Sequence, residues 1–139
     1  MKKTLIPYLA LGGRCEEALH HYAEALGGRV KTLMRLGETM PGSPPEHAQH
    51  ILHSEFEAEG LFFMASDGMP GAPPPQPGDT ISLALWLESR GEQDRVWARL
   101  AEGGTVKHPL HDTFYGDRMG VLVDRFGIGW MISCPLAKP

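Results

Sequence analysis

The chain has 139 residues, 42% hydrophobic and 22% charged, enough apolar material for a core and enough charge for a soluble surface. Its formal charge of −4 comes from 13 bases against 17 acids, and no basic run is dense enough for nucleic acid or a charged membrane surface. No apolar stretch approaches the roughly 20 residues of a membrane helix, and Cys15 and Cys134 make no disulfide framework; they read as buried thiols in a reducing cytoplasm.

The opening MKKTLIPYLALGG has two lysines before a short apolar run, but Pro7 and Tyr8 interrupt it, so a signal peptide is not expected. Leu5–Leu11 reads as a strand. Over 14–26, Cys15, Ala18, Leu19, Tyr22 and Leu26 recur at three- and four-residue steps and predict one apolar helix stripe. Gly27-Gly28 ends it, because glycine takes the left-handed cap conformation at little cost. Val30–Leu36 is a strand. The stretch 37–48, with Pro41, Gly42, Pro44 and Pro45, is a loop. Gln49–Glu57 and Leu61–Ser66 pair as a hairpin across Ala58-Glu59-Gly60. From Asp67 to Asp79 the proline- and glycine-rich DGMPGAPPPQPGD predicts a mobile linker or lid.

Thr80–Glu88 is the next strand. Ser89 and Glu92 have capping-box spacing, and the helix they open runs to about Glu102, with Val96, Trp97, Leu100 and Ala101 inward. Val106 opens a strand that Pro109 keeps short. A polar loop follows over 108–118. Met119–Val123 and Ile128–Cys134 form the last hairpin, and 135–139 is a loose tail.

The second half repeats the first. Gly27-Gly28-Arg29-Val30-Lys31 corresponds to Gly103-Gly104-Thr105-Val106-Lys107, a shift of 76 from residue 28 to 104. The same shift carries LIPYLAL onto ISLALWL. EGLFFMAS corresponds to FGIGWMIS at a shift of 67 from residue 60 to 127, the difference fitting a longer loop in the first half. The expected fold is therefore α+β: two βαβββ modules at 1–67 and 80–139, joined by the linker 68–79. Modules this small, with open strand edges, also favour a twofold homodimer.

The pieces IPYLAL-GGRCEEALHHYAEALGG and GGTVKHPLHDTFYGDRMGVLVDRFGIGW resemble the vicinal-oxygen-chelate superfamily, which includes glyoxalase I, bleomycin-resistance proteins and extradiol dioxygenases. The resemblance is closest to the PhnB-like branch, some of whose members carry a domain name referring to a demethylubiquinone methyltransferase. It implies strands curled around a cleft, helices outside, and common dimerisation. It also implies metal ligands on the first and fourth strands of each module, with a glutamate in a closing pattern Asp-Pro-x-Gly-x-x-Ile-Glu-Leu. Here that pattern reads Asp124-Arg125-Phe126-Gly127-Ile128-Gly129-Trp130-Met131-Ile132. The glutamate position is Met131, its twin is Met64, and the opening-strand positions fall near Pro7 and Ser82. None suits Zn²⁺, Mn²⁺ or Fe²⁺, which take imidazole, carboxylate or thiolate. No cofactor is therefore expected.

The alternative metal site starts from His53 and Glu55, two apart on a strand and so on one face. His50 faces the other way. His108 and His111 flank Pro109, and the neighbours His20 and His21 cannot both point inward. No Gly-x-Ser-x-Gly elbow marks a serine nucleophile. Cys134 has apolar neighbours and reads as structural. Gly12-Gly13 is too little for a methyltransferase cofactor turn. What remains is a cleft for a small apolar or aromatic molecule, lined by alternate strand positions: Pro7, Leu9, Met64, Ser66, Ser82, Ala84, Trp86, Met131 and Ser133. Tyr115 and Arg118 could reach over its mouth with a donor and a cation for an anionic ligand. A competing reading has Trp86, Trp130 and Phe114 simply filling a core; Trp130 is expected there, and Trp86 is open to either reading. The competing expectation is an enzyme, either metal-dependent through His53 and Glu55 or acid–base through His, Tyr115 or Asp112.

Overall fold

The computed structural model describes residues 3–136. The chain divides into two compact units, Met1–Gln76 and Pro77–Pro139. In the first, the order is β1 (Tyr8–Ala10), α1 (Cys15–Leu26), β2 (Arg29–Arg35), a one-turn α2 (Leu36–Thr39), β3 (Ile51–Ala58) and β4 (Leu61–Ser66). In the second it is β5 (Leu83–Trp86), α3 (Arg90–Ala101), β6 (Thr105–Asp112), β7 (Asp117–Val123) and β8 (Gly129–Pro135). Each is a βαβββ module. The sheet orders are β1-β4-β3-β2 and β5-β8-β7-β6, and in each sheet the edge pair β1–β4 or β5–β8 is parallel and the other pairs are antiparallel. No described helix is long and apolar enough to cross a membrane.

The expected stripe of α1 buries Cys15, Ala18, Leu19 and Tyr22, with Ala25 completing it and Leu26 only half-buried. Tyr22 meets the edge of Phe63 at 5.7 Å between centroids, and Phe63 stacks on Phe56 at 4.8 Å. Each such side chain contributes about 1.5–3 kcal/mol on burial. Arg14, the residue before α1, offers no side-chain cap. Asp67 supplies one from across the unit: its Oδ1 accepts from the backbone N–H of Gly13 (2.9 Å) and Cys15 (2.8 Å), and its Oδ2 from that of Ile51 (2.9 Å). In α3 the Ser89 hydroxyl accepts from Glu92 N–H at 3.2 Å, as its spacing predicts.

Several boundaries differ from those expected. Strand β1 is three residues because only Tyr8–Ala10 pair with the end of β4. The stretch 37–48 is not all loop: α2 opens it and a 3₁₀ turn at Pro45–His47 closes it, with Pro45 at a first-turn position whose N–H would have no partner anyway. Pro109 does not shorten β6, which runs eight residues. It sits on an edge strand within a register shift between His108 and His111, where a missing N–H costs no ladder bond. The expected polar loop 108–118 is thus mostly strand, with its turn confined to 113–116. The tail is tied down as far as it is described: β8 reaches Pro135, and Leu136 N–H bonds the Gly116 carbonyl at 3.0 Å. Residues 137–139 lie outside the described part. Between the modules the irregular segment packs Pro75 against Gly12 and Pro77 against Gly127.

The repeated Gly-Gly pairs do the same work twice. Gly27 and Gly103 both have φ of 72°, the left-handed region that stops a helix. The next glycine lets the chain pass against its own hairpin. A Cβ on Gly28 would lie 2.5 Å from the Glu57 carbonyl oxygen, and one on Gly104 would collide with the Val123 carbonyl oxygen and sit 2.9 Å from Asp124 Cα. Both obstacles are backbone. We expect Gly28→Ala and Gly104→Ala each to cost about 1–3 kcal/mol, read as a drop in urea midpoint at unchanged slope. Gly78→Ala, with nothing within 4 Å of its added Cβ, is the neutral control.

Candidate functional site

One helix covers one face of each sheet, and the other face, called open below, carries no helix of its own unit. In the first unit Ser54 reaches Cys15 of α1 (Oγ to Sγ, 3.7 Å), and Phe56 and Phe63 pack toward Tyr22. Alternation then turns His53, Glu55, Phe62 and Met64 to the open face. The register aligns Tyr8, Met64, Glu55 and Thr32 in one row across all four strands. In the second unit Trp97 of α3 lies on Gly120, and Gly120 pairs with Ile132. Met131 and Ser133 therefore face away from the helix, beside Ala84 and Trp86.

The expected cleft residues divide accordingly. Met64, Trp86 and Met131 lie on open faces, whereas Ser66, at the end of β4, is buried and accepts from Gly68 N–H at 3.2 Å. Pro7 precedes β1 and accepts a backbone bond from Met64 N–H at 3.0 Å. Leu9 is 6% exposed and pairs with buried Ala65, so it packs on the helix side, and Tyr8 is the β1 residue turned outward. Ser82 precedes β5, with its hydroxyl close to Gly129. Tyr115 is at the β6–β7 turn, edge-on to Phe114 at 5.2 Å; Phe114 is fully exposed and fills no core. Arg118 is held against α3, donating to Asp94 (2.8 Å) and Gln93 (3.2 Å), so its charge is already balanced. Trp130 is core, its Nε1–H donating to Asp124 Oδ2 at 2.9 Å.

The most connected polar group on either open face is one the sequence named only in part. Tyr8 Oη lies 3.0 Å from His53 Nδ1, with the two rings stacked at 5.8 Å. On its other side His53 Nε2 is 3.9 Å from Glu55 Oε2, and Thr32 donates to Glu55 Oε1 at 2.8 Å. His53 and Glu55 were legible from their spacing. Tyr8 was not, because choosing between Leu9 and Tyr8 needs the parallel register of β1 on β4.

As metal ligands these groups fall short. Among the described residues no cluster of three or more His, Cys, Asp or Glu side chains could hold a metal ion. The four places to which the family resemblance pointed, Pro7, Met64, Ser82 and Met131, make a donor set that does not fit a hard or borderline divalent cation, and Pro7 and Ser82 lie just before β1 and β5 rather than on them. The other histidines do not converge: His50 bonds the Gly68 carbonyl, and His111 Nδ1 bonds the Pro109 carbonyl at 2.8 Å. Neither cysteine is exposed. Burial pushes the Cys15 thiol up to about 11, which keeps it protonated and unreactive at neutral pH. Cys134 donates to the Pro135 carbonyl at 3.4 Å.

Comparison with known proteins agrees with this architecture. A family model described as 3-demethylubiquinone-9 3-methyltransferase matches residues 3–133. Protein YjdN of Escherichia coli K12 is 29% identical over 146 residues, covering 97% of each chain. The crystal structure of protein PA1353 from Pseudomonas aeruginosa is 32% identical, covers 98% of this chain and 100% of its own, and superposes with a TM-score of 0.84. A Bacillus cereus PhnB protein, described as a putative 3-demethylubiquinone-9 3-methyltransferase, has 23% identity and a TM-score of 0.78, over 95% of this chain and 99% of its own.

Proposed function

This chain belongs to the 3-demethylubiquinone-9 3-methyltransferase family and is a PhnB-like, glyoxalase-fold member of the vicinal-oxygen-chelate superfamily, and from that premise we propose that it binds a small apolar or aromatic molecule on its open sheet faces without the superfamily's metal. The observation that carries this reading is Trp86. It ends the edge strand β5, paired with Ser133 of β8, and is 57% exposed. Leaving much of an indole in water forgoes burial worth about 25 cal/mol per Å², and a flat aromatic surface set in a rigid strand is a ready platform for another ring. The methyl-transfer activity in the family's name is not part of the proposal: each sheet is antiparallel apart from one edge pair, unlike the parallel sheets whose glycine turns hold nucleotide cofactors.

Titration with a bicyclic aromatic should quench the indole fluorescence saturably, and Trp86→Phe should remove most of that response while Trp97 and Trp130 remain. An unchanged response in the variant would place the ligand elsewhere.

The metal-free part has its own check. Thioether sulfur and a proline ring give no anionic ligand, and a divalent charge held there without one costs several kcal/mol. Micromolar Mn²⁺, Zn²⁺ or Ni²⁺ should leave Tm unmoved, and purified protein should carry no stoichiometric transition metal. A Tm well above that of EDTA-treated protein would sink this part.

A homodimer in a reducing cytoplasm completes the proposal. Strand β6 pairs on one side only and keeps nearly all its side chains exposed, an edge that proteins usually cover. Sedimentation should give twice the 15.3 kDa chain mass; a monomer at micromolar concentration counts against it.

A further inference from the structure

The geometry points to Tyr8, oriented by His53, as the hydrogen-bond acceptor for a neutral hydroxyl-bearing aromatic molecule lying on the open face of the first sheet. This rests on the open-face reading above and adds the ligand's chemical class.

The argument starts from the carboxylate. Thr32 donates to Glu55 Oε1 at 2.8 Å, which leaves Oε2 turned toward His53 Nε2 at 3.9 Å. An anion on that side favours the imidazole tautomer with its proton on Nε2. Nδ1 then carries a lone pair, and the 3.0 Å contact with Tyr8 Oη has the phenol as donor. With its one proton committed to His53, Tyr8 offers only lone pairs outward. Tyr8 is 52% exposed, so those lone pairs are reachable. The complementary ligand group is therefore an O–H donor, not a carbonyl.

The surroundings set the rest of the ligand. Met64 stands beside Tyr8 in the register, and Met34 is opposite His53. Thioethers beside stacked rings make a surface that favours a further aromatic group. Charge selects for neutrality. Glu55 is the nearest anion, Glu57 is paired with Arg29 at 2.9 Å, and the Lys31 ammonium lies 6.0 Å from the Phe62 ring centroid. A carboxylate or phenolate at Tyr8 would meet Glu55 and an oxygen with no proton to give.

The test compares 2-naphthol with 2-methoxynaphthalene, which has the same rings but no hydroxyl proton, by calorimetry on the full chain. Naphthol should bind roughly three- to tenfold more tightly, the range of one net hydrogen bond. Tyr8→Phe keeps the ring and removes the oxygen, and the preference should vanish. Thr32→Val, which frees Glu55 to turn away, should shrink it. Equal affinities in the unaltered protein, or a preference that survives Tyr8→Phe, would overturn this inference while leaving the open-face reading intact. If neither compound binds, both fail. Because Tyr8 is exposed, thermal melting should find Tyr8→Phe folded. Independently, imidazole ¹⁵N shifts should put the His53 proton on Nε2, and a proton on Nδ1 would overturn the orientation argument.

Discussion

The backbone approach at Gly28 and Gly104 is the constraint on which the rest of each module depends. A helix that leaves one strand and returns antiparallel to the next must reverse within two residues and then run close to the hairpin that follows. The first glycine supplies a φ of 72°, and the second supplies room against a carbonyl that no Cβ would clear. The rigidity of that backbone contact sets the distance at which Tyr22, Phe56 and Phe63 can interlock in the first unit. In the second it sets where Trp97 meets Gly120. One sequence device thus fixes the helix on one face of the sheet and, by the same act, leaves the other face without a helix of its own unit.

Two aspartates then lock the ends. Asp67 ties the β1–α1 loop to the start of β3 through three backbone N–H groups. Asp124 does the same for the last hairpin, its Oδ1 accepting from Phe126 (2.9 Å) and Ile128 (3.1 Å) while Oδ2 takes the Trp130 indole. Charge-assisted bonds of this kind are about twice as strong as neutral ones, and they satisfy backbone groups that turns otherwise leave open. The carboxylates serve the frame, which removes them from any chemistry on the open face.

What could be read from the sequence follows from this. The module repeat, both long helices, the Ser89 cap and the closing hairpin were legible because each is set by local spacing or by a glycine in a required conformation. Asp67 was not: it looked like the first residue of a proline-rich linker, and its partners lie 16 to 54 residues away. Pro109 misled because a proline limits a strand only where its N–H is needed, and an edge position within a register shift does not need it. Arg118 looked available until Asp94, 24 residues earlier, was placed beside it by the packing of α3 on β7. On the open face, His53 and Glu55 share a strand and could be paired by counting. Tyr8 joins them only through a parallel register, which no spacing within one strand reveals.

The two open faces differ in a way that bears on function. Both carry a methionine, Met64 or Met131, at the place where the family resemblance points to a carboxylate, but only the first has a carboxylate beside it, Glu55. Each methionine sets an uncharged, polarizable thioether in the sheet. Around Met131 the neighbours are Ala84, Trp86 and the buried Ser133, a setting with area but few polar groups. Around Met64 stand Tyr8, Glu55 and, diagonally, His53, a surface with direction as well as area. Apolar contact is non-directional, so specificity for one ligand over another of equal size has to come from the polar groups. On this chain those groups, Tyr8, His53, Glu55 and Thr32, form one connected row on the first module.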